Sequence, residues 1–286
     1  MGYDPFGSGP HGVRARTLQL TDGVRSAACE LWFPAEFGPL PLVVFSHLSG
    51  GTRLSSAFLC RHLAGHGYAV AAVDHGDTVA RRVPEVRLVL AELLAGAGGL
   101  DLDGGRVGLV GHSLGGWTVL ATPDQEPRVA AVVALAPGGA SRPRPGIIAV
   151  GLDFAWGRDV PTLHLVGDED VMTPLDGIAE LYERTPGTAR LFVLRGADHL
   201  HFVDDVQTAH ESLRLGSLPG DAAWIPAAMR PLAELCPPER AHEAVRGLTL
   251  AHLDATLRAD SRAEAFLRHA AVHGVPALGV GTLAAR

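Results

Sequence analysis

The chain has 286 residues, 47% hydrophobic and 19% charged, a balance that excludes disorder and supplies enough apolar surface for a substantial core. Its formal net charge of −7, with every basic residue an arginine and no long basic run, excludes the concentrated positive face that nucleic-acid phosphates require. No apolar stretch approaches the roughly 18 residues needed to span a bilayer, so no membrane partner is expected.

The amino terminus, "MGYDPFGSGPHG", lacks the basic and apolar regions of a secretion signal, and Phe6 stands where a myristoylation signal wants Ser or Thr, so the expected setting is cytoplasmic. Cys29, Cys60 and Cys236 are scattered, without metal-ligand spacing, and read as buried reduced thiols.

Short apolar runs then alternate with helical patterns, which predicts an α/β fold: a mostly parallel, doubly wound sheet of eight strands in one domain over residues 1–286. "RTLQL" (16–20) and "CELWF" (29–33), joined through "TDGVRSAA", form an opening antiparallel hairpin. "LVVFS" (42–46) and "YAVAAV" (68–73) flank a helix over "SSAFLCRHLAGHG", and "VPEVRLVLAELLAGAG" is the next crossover helix, each ending in glycine. "RVGLVG" (106–111), "VAAVVALA" (129–136), "TLHLV" (162–166) and "RLFVL" (190–194) complete the strands. After residue 205 the character changes: a proline-rich stretch (215–240) precedes one long amphipathic helix over 241–271, read as a helical excursion packed on the sheet. The loop over 137–160 is too short for a large cap, so a fairly open site is expected.

"RVGLVGHSLGGWTVLA" places Ser113 at a sharp turn from strand to helix. There the flanking Gly111 and Gly115 remove side chains that would collide with the neighbouring strand and helix, and the helix amino terminus favours developing negative charge. A serine hydroxyl is a poor nucleophile until a base takes its proton, so a histidine and an orienting carboxylate must follow. "TLHLVGDEDVMTP" offers Asp168, Glu169 and Asp170 beyond one strand, and "RLFVLRGADHLHF" offers His199 and His201 beyond the next. Reacting groups gather at such carboxyl ends of parallel strands, and the order Ser, acid, His suits this architecture.

Nearly the whole chain resembles the α/β-hydrolase superfamily, more narrowly the bacterial group similar to platelet-activating-factor acetylhydrolase and often called predicted dienelactone hydrolases. The resemblance is carried by "YDPF", "GVRARTLQLTD", "ELWFPA", "PLVVFSHLSGG", "FLCRHLAGHGYAVAAVDH", "GLVGHSLGGW", "GDEDVMTP", "GADHLHF" and "LTLAHLDATLRADSRAEAFL". It implies Ser113 as nucleophile, His199 as general base and then acid, and Asp170 as the carboxylate that holds the imidazole; His201 would then line the pocket or lie at the surface. For the oxyanion hole, one donor is the amide of Leu114, directly after the nucleophile. The resemblance puts the second at Ser49, in a loop where Leu48 replaces the family's first glycine. Leu48, Phe154, Trp156, Leu200 and Phe202 are the expected apolar walls of the substrate pocket. His47, His75 and Trp117 are expected to serve packing and structural hydrogen bonds, and "GDED" lacks the companion ligands of a metal site, so neither metal nor cofactor is expected.

The expected activity is therefore hydrolysis of small carboxylic esters, short acyl esters first, through an acyl-enzyme, rising with pH through the roughly 6–8 range of a histidine titration. Action on polyesters, lactones or thioesters, or acyl transfer to another acceptor, would use the same triad. A non-catalytic ligand receptor on the same fold is the reading from a different class.

Overall fold

The computed structural model describes residues 2–35, 38–76 and 78–285. Nine strands form one sheet: β1 (Val13–Thr21), β2 (Ser26–Pro34), β3 (Leu40–Ser46), β4 (Ala69–Val73), β5 (Leu102–His112), β6 (Val129–Leu135), β7 (Thr162–Gly167), β8 (Ala189–Leu194) and β9 (Val280–Ala285). Their spatial order is β1-β2-β4-β3-β5-β6-β7-β8-β9. β3 to β8 are mutually parallel, while the β1–β2 hairpin and β9 join antiparallel at the two edges.

The eight expected strands are all present, and the ninth corrects the count. "VGTLAA" carries a glycine and small residues in place of the β-branched pattern that marks a strand, and it is held as an edge partner of β8. The expected single helix over 241–271 is also two helices, α7 (Pro238–Leu257) and α8 (Ser261–His273), numbered after six earlier ones. Between them Ala259 takes a left-handed φ of 52°, and the Asp260 carboxylate accepts from the Arg262 amide at 2.8 Å, an amino-terminal cap that restarts the helix at a new angle.

Strand residues alternate between two buried layers because successive side chains point to opposite faces. Leu42, Val44, Ala69, Ala71, Val132 and Ala134 face the layer under α2 (Arg82–Leu94), α3 (Leu114–Ala121) and α4 (Leu175–Arg184). Val43, Phe45, Val70, Ala72, Val133 and Leu135 face α1 (Ala57–Gly65), α7 and α8. Cys29 and Cys60 are buried in these layers, where loss of solvent pushes the Cys29 thiol up to about 12 and leaves it a small hydrophobe; Cys236 is half-buried and also free.

The winding direction reverses at β3: the chain runs to β4 on one side, then returns to lay β5 on the other. The crevice outside the carboxyl ends of β3 and β5 is thus a topological switch point, the place where open α/β sheets bind ligands. Ser46 and the loop after it, and His112 followed by Ser113, lie at those two ends.

Two short helices, α5 (Val206–Leu215) and α6 (Ile225–Ala228), lie in the excursion after β8. The excursion is tied to the loop after β6, since Trp224 Nε1 donates to Pro145 O at 2.9 Å and the Arg144 guanidinium lies 5.5 Å from the Trp224 ring centre.

Candidate active site

Ser113 sits between β5 and α3 with φ 58° and ψ −117°, a conformation that costs a non-glycine residue on the order of 1–3 kcal/mol. It is held there by its amide bonding Leu135 O at 2.9 Å and by its carbonyl accepting from Gly138 and Trp117 at 2.9 and 3.1 Å. The glycines beside it answer a steric demand: a Cβ at Gly111 would lie 2.2 Å from Gly115 O, and one at Gly115 would lie 2.0 Å from Ser46 O. Gly115→Ala is therefore expected to destabilise by about 3 kcal/mol or more through forced backbone displacement, read as a drop in the denaturant midpoint. A midpoint within error of the unsubstituted protein would show that α3 does not rest on the β3 end.

Beyond β7 and β8, the structure brings Asp170 and His199 together: His199 Nδ1 lies 2.7 Å from Asp170 Oδ2, with both side chains buried. Asp170 Oδ1 accepts from the amides of Met172 and Thr173 at 2.8 Å each, and the Thr173 hydroxyl donates to Oδ2 at 2.7 Å. The His199 ring stands 4.8 Å, centre to centre, from His112, the residue before Ser113. Burial pulls the His199 pKa down, but the charge of Asp170, its hydrogen bond and the charge of Asp198 outweigh it and leave the pKa above the ordinary value. His112, buried beside it, is pushed well down and stays neutral.

The competing acids point elsewhere. Asp168 accepts from the Gly196 amide at 2.6 Å and pairs with Arg195, clasping two loops together, while Glu169 pairs with Arg230 at 2.7 Å.

His201 corrects the expectation of a pocket-lining or surface residue: it is fully buried, with Nδ1 2.7 Å from Asp198 Oδ1 and Nε2 3.1 Å from Cys236 O. The Asp198 amide also donates to Nδ1 at 3.0 Å, so this nitrogen faces both a carboxylate and an N–H. Burial opposes charging the ring, but the Asp198 and Cys236 hydrogen bonds prevail and raise the pKa to about 10. His210, 3.0 Å from the other Asp198 oxygen, is pushed down, chiefly by burial. A histidine raised from 6.5 to about 10 contributes stability that is complete below about 6.5 and is lost as pH climbs toward 10. The melting temperature is thus expected to decline from pH 7 to 10 and to decline less in His201→Asn; equal slopes would overturn this.

The expected pocket residues divide. Leu48 and Leu200 share an apolar cluster with Ile225 and Met229, joined by Ile147, Met172 and Trp224. Phe154 and Trp156 are corrected: they stack edge to face at 5.5 Å and pack into the layer under α3 and α4, where Trp156 Nε1 donates to Leu120 O at 3.2 Å and Arg184 lies over Phe154. Their loop turns back onto the sheet, so its aromatics face the core.

The residues that sequence reasoning missed, Ile147, Met172, Trp224, Ile225 and Met229, lie on three separate segments, and only Met172, two positions after Asp170, had a nearby signal. Of these, Ile147 and Met172 line a cavity of about 420 Å³, together with Gly138, Arg142 and Thr173 among others. It borders the elbow through Gly138 and the acid through Thr173.

Leu114 is buried as the first residue of α3, and Ser49 is exposed on the loop after β3, which the close approach of Gly115 to Ser46 sets against the elbow. His47, His75 and Trp117 make structural hydrogen bonds, Trp117 Nε1 donating to Gly151 O at 2.7 Å. Among the described residues, no three His, Cys, Asp or Glu side chains are grouped to hold a metal ion, and no helix is long and apolar enough to cross a membrane.

Residues 9–87 match the family described as platelet-activating factor acetylhydrolase, isoform II, a span that ends before the elbow. The chain is 26% identical over 208 residues to cutinase est1 of Thermobifida alba, covering 70% of this chain and 66% of that protein. It is 24% identical over 207 residues to cutinase 1 of Thermobifida cellulosilytica, covering 70% and 74%. It is 29% identical over 154 residues to bis(hydroxyethyl) terephthalate hydrolase of Streptomyces coelicolor, covering 52% and 46%. The chain thus spans about half to three quarters of these relatives' lengths. The parallel sheet, the switch-point crevice and the strained serine elbow give the chain the α/β-hydrolase fold, and in sequence it is similar to these ester hydrolases.

Proposed function

We propose that the protein is a serine hydrolase of carboxylic esters that works through an acyl-enzyme on Ser113, with His199 as base and Asp170 as its orienting carboxylate. The observation that carries this is the buried 2.7 Å contact of His199 Nδ1 with Asp170, set one ring away from the residue preceding a serine in a strained turn. Because Asp170 is an acceptor already fixed by three donors, the proton of a neutral His199 resides on Nδ1, and Nε2 carries the lone pair that takes the serine proton. Ser113 Oγ then attacks the ester carbonyl, and the amides of Leu114 and Ser49 receive the oxyanion. His199 returns the proton to the leaving alcohol, and water repeats the sequence to release the acid.

Small esters with short acyl groups are the first substrate class. The adjoining cavity of about 420 Å³ is within the range of small-molecule sites. A second reading, action on aromatic diesters or polyesters, is favoured by the similarity to a terephthalate diester hydrolase and to cutinases. Initial rates on p-nitrophenyl esters from acetate to decanoate, beside release of terephthalate monoester from a diester, separate the two. Mass spectrometry after a fluorophosphonate probe should locate the adduct on the peptide holding Ser113. A rate peak at acetate or butyrate supports the first class, and a preference for the terephthalate diester supports the second. No turnover of any ester and no adduct on Ser113 would sink both.

A further inference from the structure

Arg82, the first residue of α2, is only 4% exposed. Burying a guanidinium costs several kcal/mol unless its donors are well used, and here two of them go to consecutive carbonyls of the loop after β3. Nη1 donates to His47 O at 2.7 Å and Nη2 to Leu48 O at 3.3 Å. The carboxylate one turn on, Glu85, bonds His75 and Arg81 instead.

Leu48 O is gripped by further donors. The Gly51 amide reaches it at 3.2 Å, and His47 Nδ1 lies 2.6 Å away. His47 Nε2 accepts from the His75 amide at 3.1 Å, so its ring proton resides on Nδ1 and is donated to Leu48 O. Burial lowers the His47 pKa to about 4, which keeps this neutral arrangement intact across the working pH range.

A trans peptide is planar, with its C=O and N–H pointing in opposite directions, so fixing one fixes the other. Leu48 O and the Ser49 amide belong to the same peptide unit. Holding the oxygen toward the buried guanidinium therefore turns the Ser49 N–H away from it. The loop is in turn set against the elbow, because Gly115 has no room for a Cβ against Ser46 O and His47 O. With leucine in place of glycine at position 48, the direction of that amide depends on such anchoring.

We infer that Arg82 is a positioning residue of the oxyanion hole, aiming the Ser49 amide at the substrate oxygen by holding the carbonyls of His47 and Leu48. The inference rests on the ester-hydrolase reading above.

Arg82→Met and Arg82→Lys test it, with the exposed neighbour Arg81→Gln as control. Arg82→Met is expected to lower kcat on p-nitrophenyl acetate by about 100-fold, the usual loss for one oxyanion donor, with KM within about twofold. Inhibition by phenylboronic acid, whose tetrahedral serine adduct places an oxygen in the hole, should weaken by a similar factor. Arg82→Lys, able to reach one carbonyl, should recover part of both, and Arg81→Gln should resemble the unsubstituted enzyme. If Arg82→Met does not fold, the same kcat, KM and boronate readings on Arg82→Lys decide the matter. An unchanged kcat, a rise in KM alone, or a kcat loss without weakened boronate binding overturns the inference while Ser113-dependent turnover leaves the ester-hydrolase reading standing. Absence of Ser113-dependent turnover in the unsubstituted protein overturns both.

Discussion

Ester hydrolysis by Ser113→Ala is expected to fall by about 10⁴-fold or more, with melting temperature nearly unchanged. In the proposed reaction the Ser113 hydroxyl forms the acyl bond, and removing the nucleophile of a triad leaves only what positioning and the oxyanion donors provide. The bonds that hold the turn run through the Ser113 backbone, to Leu135, Gly138 and Trp117, and they survive the substitution. Ser113→Gly should be equally inactive but more stable than Ser113→Ala by about 1 kcal/mol, because φ 58° and ψ −117° strain any residue with a Cβ. Initial rates and urea midpoints on both variants check this pair of outcomes. A Ser113→Ala protein that keeps more than one hundredth of the rate would place the nucleophile elsewhere.

Asp170→Asn is expected to lower kcat by about 10⁴-fold, since an amide facing Nδ1 favours the wrong imidazole tautomer and gives no charge to the imidazolium formed during attack. It also changes the pH dependence, with a sign that follows from the site. Burial depresses the His199 pKa, and the Asp170 charge and hydrogen bond more than reverse that. The base must be neutral, so kcat/KM of the unsubstituted enzyme should rise along an acid limb whose midpoint lies above the ordinary histidine value of 6.5. Removing the Asp170 charge leaves burial in command, and the limb of the residual activity should move to lower pH. A pH–rate series on both proteins measures the shift. An Asp170→Asn variant with the same limb and a rate within tenfold would mean that His199 is oriented by another group.

Much of the architecture was legible in the residues. Each of the first eight strands carries β-branched or apolar runs bounded by glycine, proline or polar turns, and those are local signals. The elbow was equally visible, because Gly111 and Gly115 bracket Ser113 in the sequence, although the space that Gly115 leaves is taken by Ser46 O. β9 escaped because "VGTLAA" has little strand character of its own and is held as the outer partner of β8. The break between α7 and α8 escaped because apolar periodicity runs on across it, while the left-handed turn at Ala259 and the Asp260 cap interrupt the backbone.

The sequence by itself determined the alternation of strands and helices, the turn that presents Ser113, and the order in which an acid and a histidine follow it, because all three are written in short-range patterns. Only the tertiary structure decided which carboxylate faces which histidine. Asp168 and Asp170 lie beyond β7 and Asp198 directly precedes His199 beyond β8, yet Asp170 meets His199 and Asp198 meets His201. It alone turned Phe154 and Trp156 into the core, brought Ile225 and Met229 to the crevice beside Leu48 and Leu200, and set Arg82 under the carbonyls of His47 and Leu48. Apart from the Asp198–His201 pair, these choices depend on contacts between segments tens of residues apart, and no pattern confined to one segment contains them.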